Sequence, residues 1–560
     1  MKQHASRLSR TFAAIILVAH LVAGCGTKPD ASGAAAGAGE IAPLALGTHT
    51  YGITTSSPEA QQAFDRGLTL AYGFAHQAAE KEFRRAAELD PRCAMAWWGI
   101  ALVHGPHINL PLVTPERATA AWEALSRAQA LSQGAGETER ALIAALGRRY
   151  VEHQPEDRRH LDEAYALAMR EVWRKYPGDA DVASLFAEAM MDLRPWDLWT
   201  ADGKPQPGTA EILATLERAL EINPDHPGAN HYYIHVVEAS NSPERGVAAA
   251  DRLLGLVPGA SHLVHMPAHI YARVGRWEDA ADANVRAIGA DAAFRKANPR
   301  PGFYAMYMAH NQHFLAYALM MQGRSAQALE AARSMVASVP EEFLQEFAGV
   351  ADGYMVIVPE VLMRFGRWKE ILAEPEPRES LPLARSLWRY MRSVSLTALG
   401  RLEEAEKERE AFRLAAAAVP KDRTFGNNPA GLLLEIAARM LDGEMAAKRG
   451  RFDESVRTLR EAVRIEDSLR YDEPPDWIQP VRHTLGAVLM TAGRYADAER
   501  VYREDLAKFP ENGWSLFGLG RALRLQKKDV EATAAEERFR KIWAGADVRL
   551  GSTCYCLPGA

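Results

Sequence analysis

One tripeptide recurs along this chain and constrains its fold more than any other feature. It reads Gly275-Arg276-Trp277, Gly366-Arg367-Trp368, Gly400-Arg401-Leu402, Gly450-Arg451-Phe452 and Gly493-Arg494-Tyr495, with Gly323-Arg324-Ser325 as a weaker copy. Glycine enters the left-handed backbone region without steric cost and so closes a helix, while the apolar residue two positions on begins the packing of the next. Ala280, Ala328, Ala405 and Ala498 each follow their glycine by five residues, a small residue where paired helices must approach. A helix-turn-helix unit repeated in one register predicts an all-α chain whose units stack side by side.

The residues around these turns carry a resemblance. Leu485-Gly486, Leu489, Ala498, Tyr502 and Pro510 fall at the offsets of a tetratricopeptide repeat, the next unit begins with Trp514, Phe517 and Gly518, and an early one has Gly67, Ala79, Phe83, Ala86 and Pro91. From about residue 55 to 545 the chain resembles the tetratricopeptide family. The resemblance implies an α-solenoid with a concave groove, and a scaffold that holds a peptide or protein partner there. Successive turns are 48, 43 and 34 residues apart between Gly275, Gly323, Gly366 and Gly400, so some units contain longer helices or loops. Arg194 to Gly208, rich in Pro, Gly and Trp, is expected to be an ordered loop acting as a hydrophobic plug or a lid.

The first residues read as an export leader. Lys2, Arg7 and Arg10 precede an apolar run from Thr11 to Ala23 that is too short to span a bilayer, and Leu21-Val22-Ala23-Gly24-Cys25 resembles a bacterial lipobox. Lipidation at Cys25 is therefore expected, with the chain anchored in the cell envelope, at the outer membrane or the periplasmic face. The whole chain carries a net charge of -6; cleavage before Cys25 removes three cations and no acid, leaving -9, which argues against nucleic acid as a partner. The expected organisation is a leader (1–24), a flexible Ala/Gly-rich tether (25–54), N-terminal repeats with the Trp-rich loop (55–225), histidine-rich repeats (226–340), C-terminal repeats (341–545) and a tail (546–560). Beyond Cys25 only Cys93, Cys554 and Cys556 remain, too few for a disulfide framework, although an exported Cys554-x-Cys556 pair can be oxidised to a ring or bridged to Cys93.

Histidine is concentrated in one place. Seven of the 17 fall between residues 231 and 313: His231, His235, His262, His265, His269, His310 and His313. Counting back from the turn glycines, set as position fifteen, His262 and His310 share position 2, His265 and His313 share position 5, and His269 holds position 9. With Asn241 at the preceding turn, His231 and His235 take positions 5 and 9 and Glu238 takes position 12. In the tetratricopeptide family such positions face the groove rather than the core. Helices packed about 8–10 Å apart would bring these imidazoles within reach of a shared metal. Neutral imidazole suits zinc, copper or iron, so these histidines are candidate ligands for one or two ions, with Glu238 a ligand or general base. Met306, Met308, Met320 and Met321 nearby slightly favour copper but read chiefly as core.

Other residues weigh less. His76 is expected at the surface, His104 and His107 in a turn, and His483 at position 5 of a distant unit. Glu188, Asp192 and Glu360 read as solvated acids, and Tyr232, Tyr233, Tyr304 and Tyr307 as packing or substrate-bonding groups near the histidines. No H-E-x-x-H, G-x-S-x-G, phosphate-loop or dinucleotide-loop motif is present. Two readings follow: a histidine metal centre on a solenoid, with catalysis left open, or a scaffold that binds a peptide or protein without metal.

Overall fold

The computed structural model describes residues 44–557; the leader and the lipidation expected at Cys25 lie outside them. The described chain is an all-α solenoid of helix pairs, and its one β element is an antiparallel pairing of Thr424–Phe425 with Asn428–Pro429. The turn glycines behave as the repeat requires. Gly275, Gly323, Gly366, Gly400, Gly450 and Gly493 have φ of 78°, 73°, 67°, 78°, 75° and 71°. Two units depart from glycine: Phe74 and Lys527 take left-handed turns at φ 55° and 60°. Asn241 is not among the described left-handed residues, and the Pro227–Glu238 helix leads into a short 3-10 turn at Pro243–Gly246. The equivalence assigned to Asn241 is therefore corrected: that unit closes by a different turn.

Why helices pair so closely is visible at the small residues. A side chain on Gly486 or Gly518 would come within 2.3 Å of the Tyr502 ring, and one on Gly67 or Gly99 within 2.7 or 2.5 Å of Phe83. In these two places a single aromatic ring from the second helix is wedged against two first helices, which fixes the stacking of successive units there. At the start of the solenoid Ser57 caps the Pro58–Tyr72 helix by accepting from the Ala60 amide, with Pro58 at the first position.

The solenoid closes on itself. Trp277 Nε1 donates to the Pro510 carbonyl and Trp514 Nε1 to the Met320 carbonyl, both at 2.8 Å, across separations of 233 and 194 residues. Asp547 accepts from the amides of Ser325 and Ala326 at 2.7 and 2.8 Å. The C-terminal repeats therefore return onto the turns of the central ones, and the inner face of the central repeats is enclosed. Residues 44–54, expected as the end of a flexible tether, instead pack on the body: Leu46 is buried, His49 Nε2 lies 2.9 Å from Asp181, and the Thr54 amide bonds Glu139. The expected tail also packs inward, burying Ser552, Thr553 and a Cys554–Cys556 disulfide, while Cys93 is a buried free thiol. Among the described residues no helix is long and apolar enough to cross a membrane.

Candidate metal centre

Four helices of the central repeats carry the histidines inward. Pro227–Glu238 supplies His231 and His235, Ser261–His265 supplies His262 and His265, Pro267–Arg273 supplies His269, and Ala305–Met321 supplies His310 and His313. Spacings of three and four keep each pair on one helical face, and Pro267, which has no amide hydrogen, marks the break between the second and third helices. Six of the seven rings sort into two groups. One nitrogen from each of His231, His235 and His262 lies within 4.8 Å of the others, and the same holds for His265, His269 and His310. The groups adjoin: ring centroids are 6.0 Å apart for His235 and His269 and 6.1 Å for His262 and His265. His313 is not drawn in; its ring packs on Tyr354 at 5.3 Å.

The groove is not open where the histidines lie, which corrects the expectation of an exposed concave surface. His231 and His265 are fully buried and His262 is 2% exposed, while His310 alone of the six is half-buried. Two of the covering rings, Phe74 and Trp196, come from distant parts of the chain, and two, Tyr307 and Phe314, from the helix that carries His310. Phe74 lies 4.7 Å from His231, Trp196 lies 5.3 Å from His235, and Tyr307 packs on His262 at 4.1 Å. Phe314 closes on His265 and His269, each at 5.3 Å. Phe74 and Trp196 both hold left-handed backbone, at φ 55° and 56°, a conformation that costs a bulky residue about 1–3 kcal/mol and that persists only where the surroundings enforce it. The Trp-rich loop is ordered as expected, with Trp199 Nε1 donating to the Val236 carbonyl at 2.7 Å.

The hydrogen bonds give each ring an orientation. His231 Nδ1 lies 2.6 Å from the Tyr72 carbonyl, His235 Nδ1 lies 2.8 Å from Glu238 Oε1, His265 Nδ1 lies 2.7 Å from Asn284 Oδ1, and His269 Nδ1 lies 2.5 Å from Glu238 Oε2. A carbonyl or carboxylate accepts, so each of these Nδ1 atoms donates; the Nε2 atoms of His231 and His235 keep their lone pairs, while of the paired Nε2 atoms of His265 and His269 one donates to the other. The Nε2 atoms of His231 and His235 have no partner, nor does either nitrogen of His262, and the Nε2 atoms of His265 and His269 face each other at 2.7 Å. Glu238 has both oxygens engaged, so it positions two rings rather than offering a free ligand or general base.

Electrostatics keep most rings neutral. Burial, reinforced by neighbouring imidazoles, holds His231, His262 and His310 well below the usual histidine range. Burial also lowers His265 and His235, although Asn284 and Glu238 respectively oppose it, and brings His313 to about 4. At His269 burial opposes the charge but Glu238 outweighs it, leaving the group raised. At Glu238 burial pushes upward, and His269 and His235 overcome it and hold the carboxyl at about 2.

Several other expectations change. Glu188 and Asp192 are buried beside Arg149, which pairs with Asp192 and with Asp162 at 3.0 Å, so neither is a solvated acid. Glu360 Oε2 is buried without a partner, and burial lifts this carboxyl to about 8. His76 is half-buried and meets His107 edge-on at 4.6 Å rather than lying at the surface; His107 bridges to Leu110 in the expected turn but is buried and stacked on Phe74 at 4.4 Å. His483 is buried 2.9 Å from Asp505. Met308, Met320 and Met321 are core, and Tyr233 bonds Glu217 away from the cluster. The Tyr304 hydroxyl accepts from the His262 amide at 3.0 Å.

The residues that sequence reading missed are those that enclose and orient. Phe74 sits at a left-handed turn, Asn284 lies within the Trp277–Ala297 helix, and Glu473, whose charge acts on His269, lies in a loop 204 positions on. No pattern in the chain joins them to the histidines.

A sequence model of the tetratricopeptide repeat matches residues 312–334 and 479–504. No curated protein matches the chain. Among solved structures, a human IFIT1 dimer with m7Gppp-AAAA is similar at 13% identity over 88% of this chain and 92% of its own, with a TM-score of 0.34. The APC/C hetero-tetramer Cut9-Hcn1 is similar at 11% identity over 87% and 74%, with a TM-score of 0.30.

Proposed function

We propose that this tetratricopeptide-repeat protein holds two transition-metal ions, one on His231, His235 and His262 and one on His265, His269 and His310, inside its enclosed solenoid. A single observation carries the reading: four rings give Nδ1 to a protein acceptor and turn Nε2 toward the other rings of the two groups, the arrangement by which surrounding groups orient metal-bound imidazoles. The bare His262 supports it further. A buried polar atom without a partner costs about 1–3 kcal/mol, and a metal would satisfy whichever His262 nitrogen carries the lone pair.

Each group supplies three imidazole nitrogen donors and leaves a position for an exogenous ligand, which suits zinc, copper or iron. The bound ions would act as Lewis acids or redox centres, while the chain's own part is to orient six imidazoles, exclude bulk water with Phe74, Trp196, Tyr307 and Phe314, and keep Glu238 ionised between the groups. A peptide in the groove does not reach these rings without displacing those aromatics, so the peptide-scaffold role is assigned to other faces of the repeats. Export and anchoring through lipidated Cys25 complete the proposal and would place the centre in the cell envelope.

The test is metal retention by untagged protein. After loading with copper, zinc or iron and desalting, two ions per chain are expected, falling to one in His262→Ala and in His310→Ala. Retention of less than one ion from every metal would overturn the reading.

A further inference from the structure

The C-terminal tail carries a reactive pair that the histidine groups do not use. Cys554 and Cys556 form a disulfide buried against the C-terminal repeats, and the Ala430–Lys448 helix brings Glu444 beside it. One carboxyl oxygen of Glu444 and the two sulfurs all lie within 4.8 Å of one another. Glu444 is buried, and its Oε2 has no hydrogen-bond partner. A buried polar atom left in that state costs about 1–3 kcal/mol, so an orphan oxygen on a carboxyl next to a disulfide calls for a role beyond packing.

The two sulfurs are not equivalent. The Cys556 amide donates to Cys554 Sγ at 3.3 Å. An amide aimed at one sulfur favours negative charge there, which makes Cys554 the better leaving group of the pair.

The tail is fastened to the body just ahead of the disulfide. Arg521 Nη1 donates to the Gly551 carbonyl and the Thr553 hydroxyl to the His483 carbonyl, both at 2.7 Å, while the Tyr502 hydroxyl donates to Thr553 Oγ1 at 2.9 Å. Further on, the tail bonds to itself: the Leu557 amide donates to the Cys554 carbonyl at 3.3 Å and the Tyr555 hydroxyl to the Arg549 carbonyl at 2.9 Å. Cys554 and Cys556 are 4% and 5% exposed, and a turn fastened in this way uncovers its sulfurs by local opening while the repeats stay folded.

We propose that Cys554–Cys556 is a thiol–disulfide exchange site that takes two electrons from a dithiol, with Glu444 the proton donor to the departing Cys554 sulfur. A thiolate of the dithiol attacks Cys556 Sγ, the S–S bond breaks, and its electron pair goes to Cys554 Sγ, which takes the Glu444 proton. The second thiol of the dithiol returns a proton to Glu444 and attacks the dithiol sulfur held in the mixed disulfide. Cys556 departs and takes from water the proton that the first thiol lost to it. The dithiol leaves as a disulfide, and the chain holds two thiols. Burial raises the Glu444 carboxyl to about 8, which suits a group that gives and regains a proton near neutral pH.

The experiment treats untagged full-length protein at neutral pH with excess dithiothreitol and a chelator. Samples are quenched with N-ethylmaleimide over time, peptide mass spectrometry counts the label on Cys554 and Cys556, and circular dichroism follows helix content. Both cysteines are expected to be labelled while helix content stays native, and oxidised glutathione should then close the disulfide again. Glu444→Gln should be reduced at least about tenfold more slowly, at native helix content. Labelling of the parent that appears only as helix content is lost would overturn the proposal, and so would a folded Glu444→Gln chain reduced as fast as the parent.

Discussion

His262 and His310 hold the same position in consecutive repeats, thirteen residues before Gly275 and Gly323, yet they end in different groups and different surroundings. His262 is 2% exposed beneath Tyr307, with Phe74 beyond it; His310, packed edge-on against His265 at 4.6 Å, keeps part of its ring in solvent. The first group is roofed by segments from far along the chain, Phe74 and the Trp-rich loop, while the second meets Phe314 of its own helix. Repeat position aims a side chain inward, and long-range packing decides how closed the space around it becomes. Glu238, bonded to both groups, is what makes the two sites one centre.

The largest expected effect comes from removing what the groups share. Glu238→Gln deletes the charge that fixes His235 and His269, and both ions should bind about 10- to 100-fold more weakly in chelator competition. Weakening confined to one ion would show that the groups are independent.

Next comes the roof. Phe74→Ala should destabilise the fold by about 3 kcal/mol through the cavity it leaves, and should speed metal loss from the His231 group alone. Calorimetry reads the first effect and stopped-flow chelation the second. In the parent protein the half-buried His310 group should exchange its ion faster, so Phe74→Ala narrows the gap between two kinetic phases.

A smaller effect belongs to Asn284→Ala, which frees the His265 ring and leaves its N–H unpaired at a cost of about 1 kcal/mol. Metal loss should quicken in the second group only, as seen in the same two-phase assay.

Glu444 supplies a control outside both groups. Burial raises this 4% exposed carboxyl to about 8, so the folded chain keeps a proton that the unfolded chain releases near 4.5. The folded state binds more protons in that interval, and stability from this residue therefore falls as pH rises from 4.5 to about 8. Glu444→Gln should flatten that part of the pH–stability curve without changing metal content.

Much of this architecture was legible because one repeated turn served as a ruler. The glycines at 275, 323, 366, 400, 450 and 493 mark true left-handed closures, and counting from them located four of the six grouped histidines by position. The ruler failed where a unit closes differently, at Asn241, and at Phe74, where an aromatic residue takes the conformation that glycine takes elsewhere. His313 shares position 5 with His265, but helix geometry turned it toward Tyr354. Enclosure was not legible at all. It depends on contacts such as Trp277 to Pro510 and Phe74 to His231, whose partners no local spacing connects.

The central claim is most directly tested by a crystal structure of metal-loaded protein with anomalous diffraction at the metal edge. Two separate peaks are predicted, one about 2.0–2.1 Å from nitrogens of His231, His235 and His262 and one at that distance from nitrogens of His265, His269 and His310. Peaks ligated elsewhere, or no peak at either group in protein shown to carry metal, would contradict it.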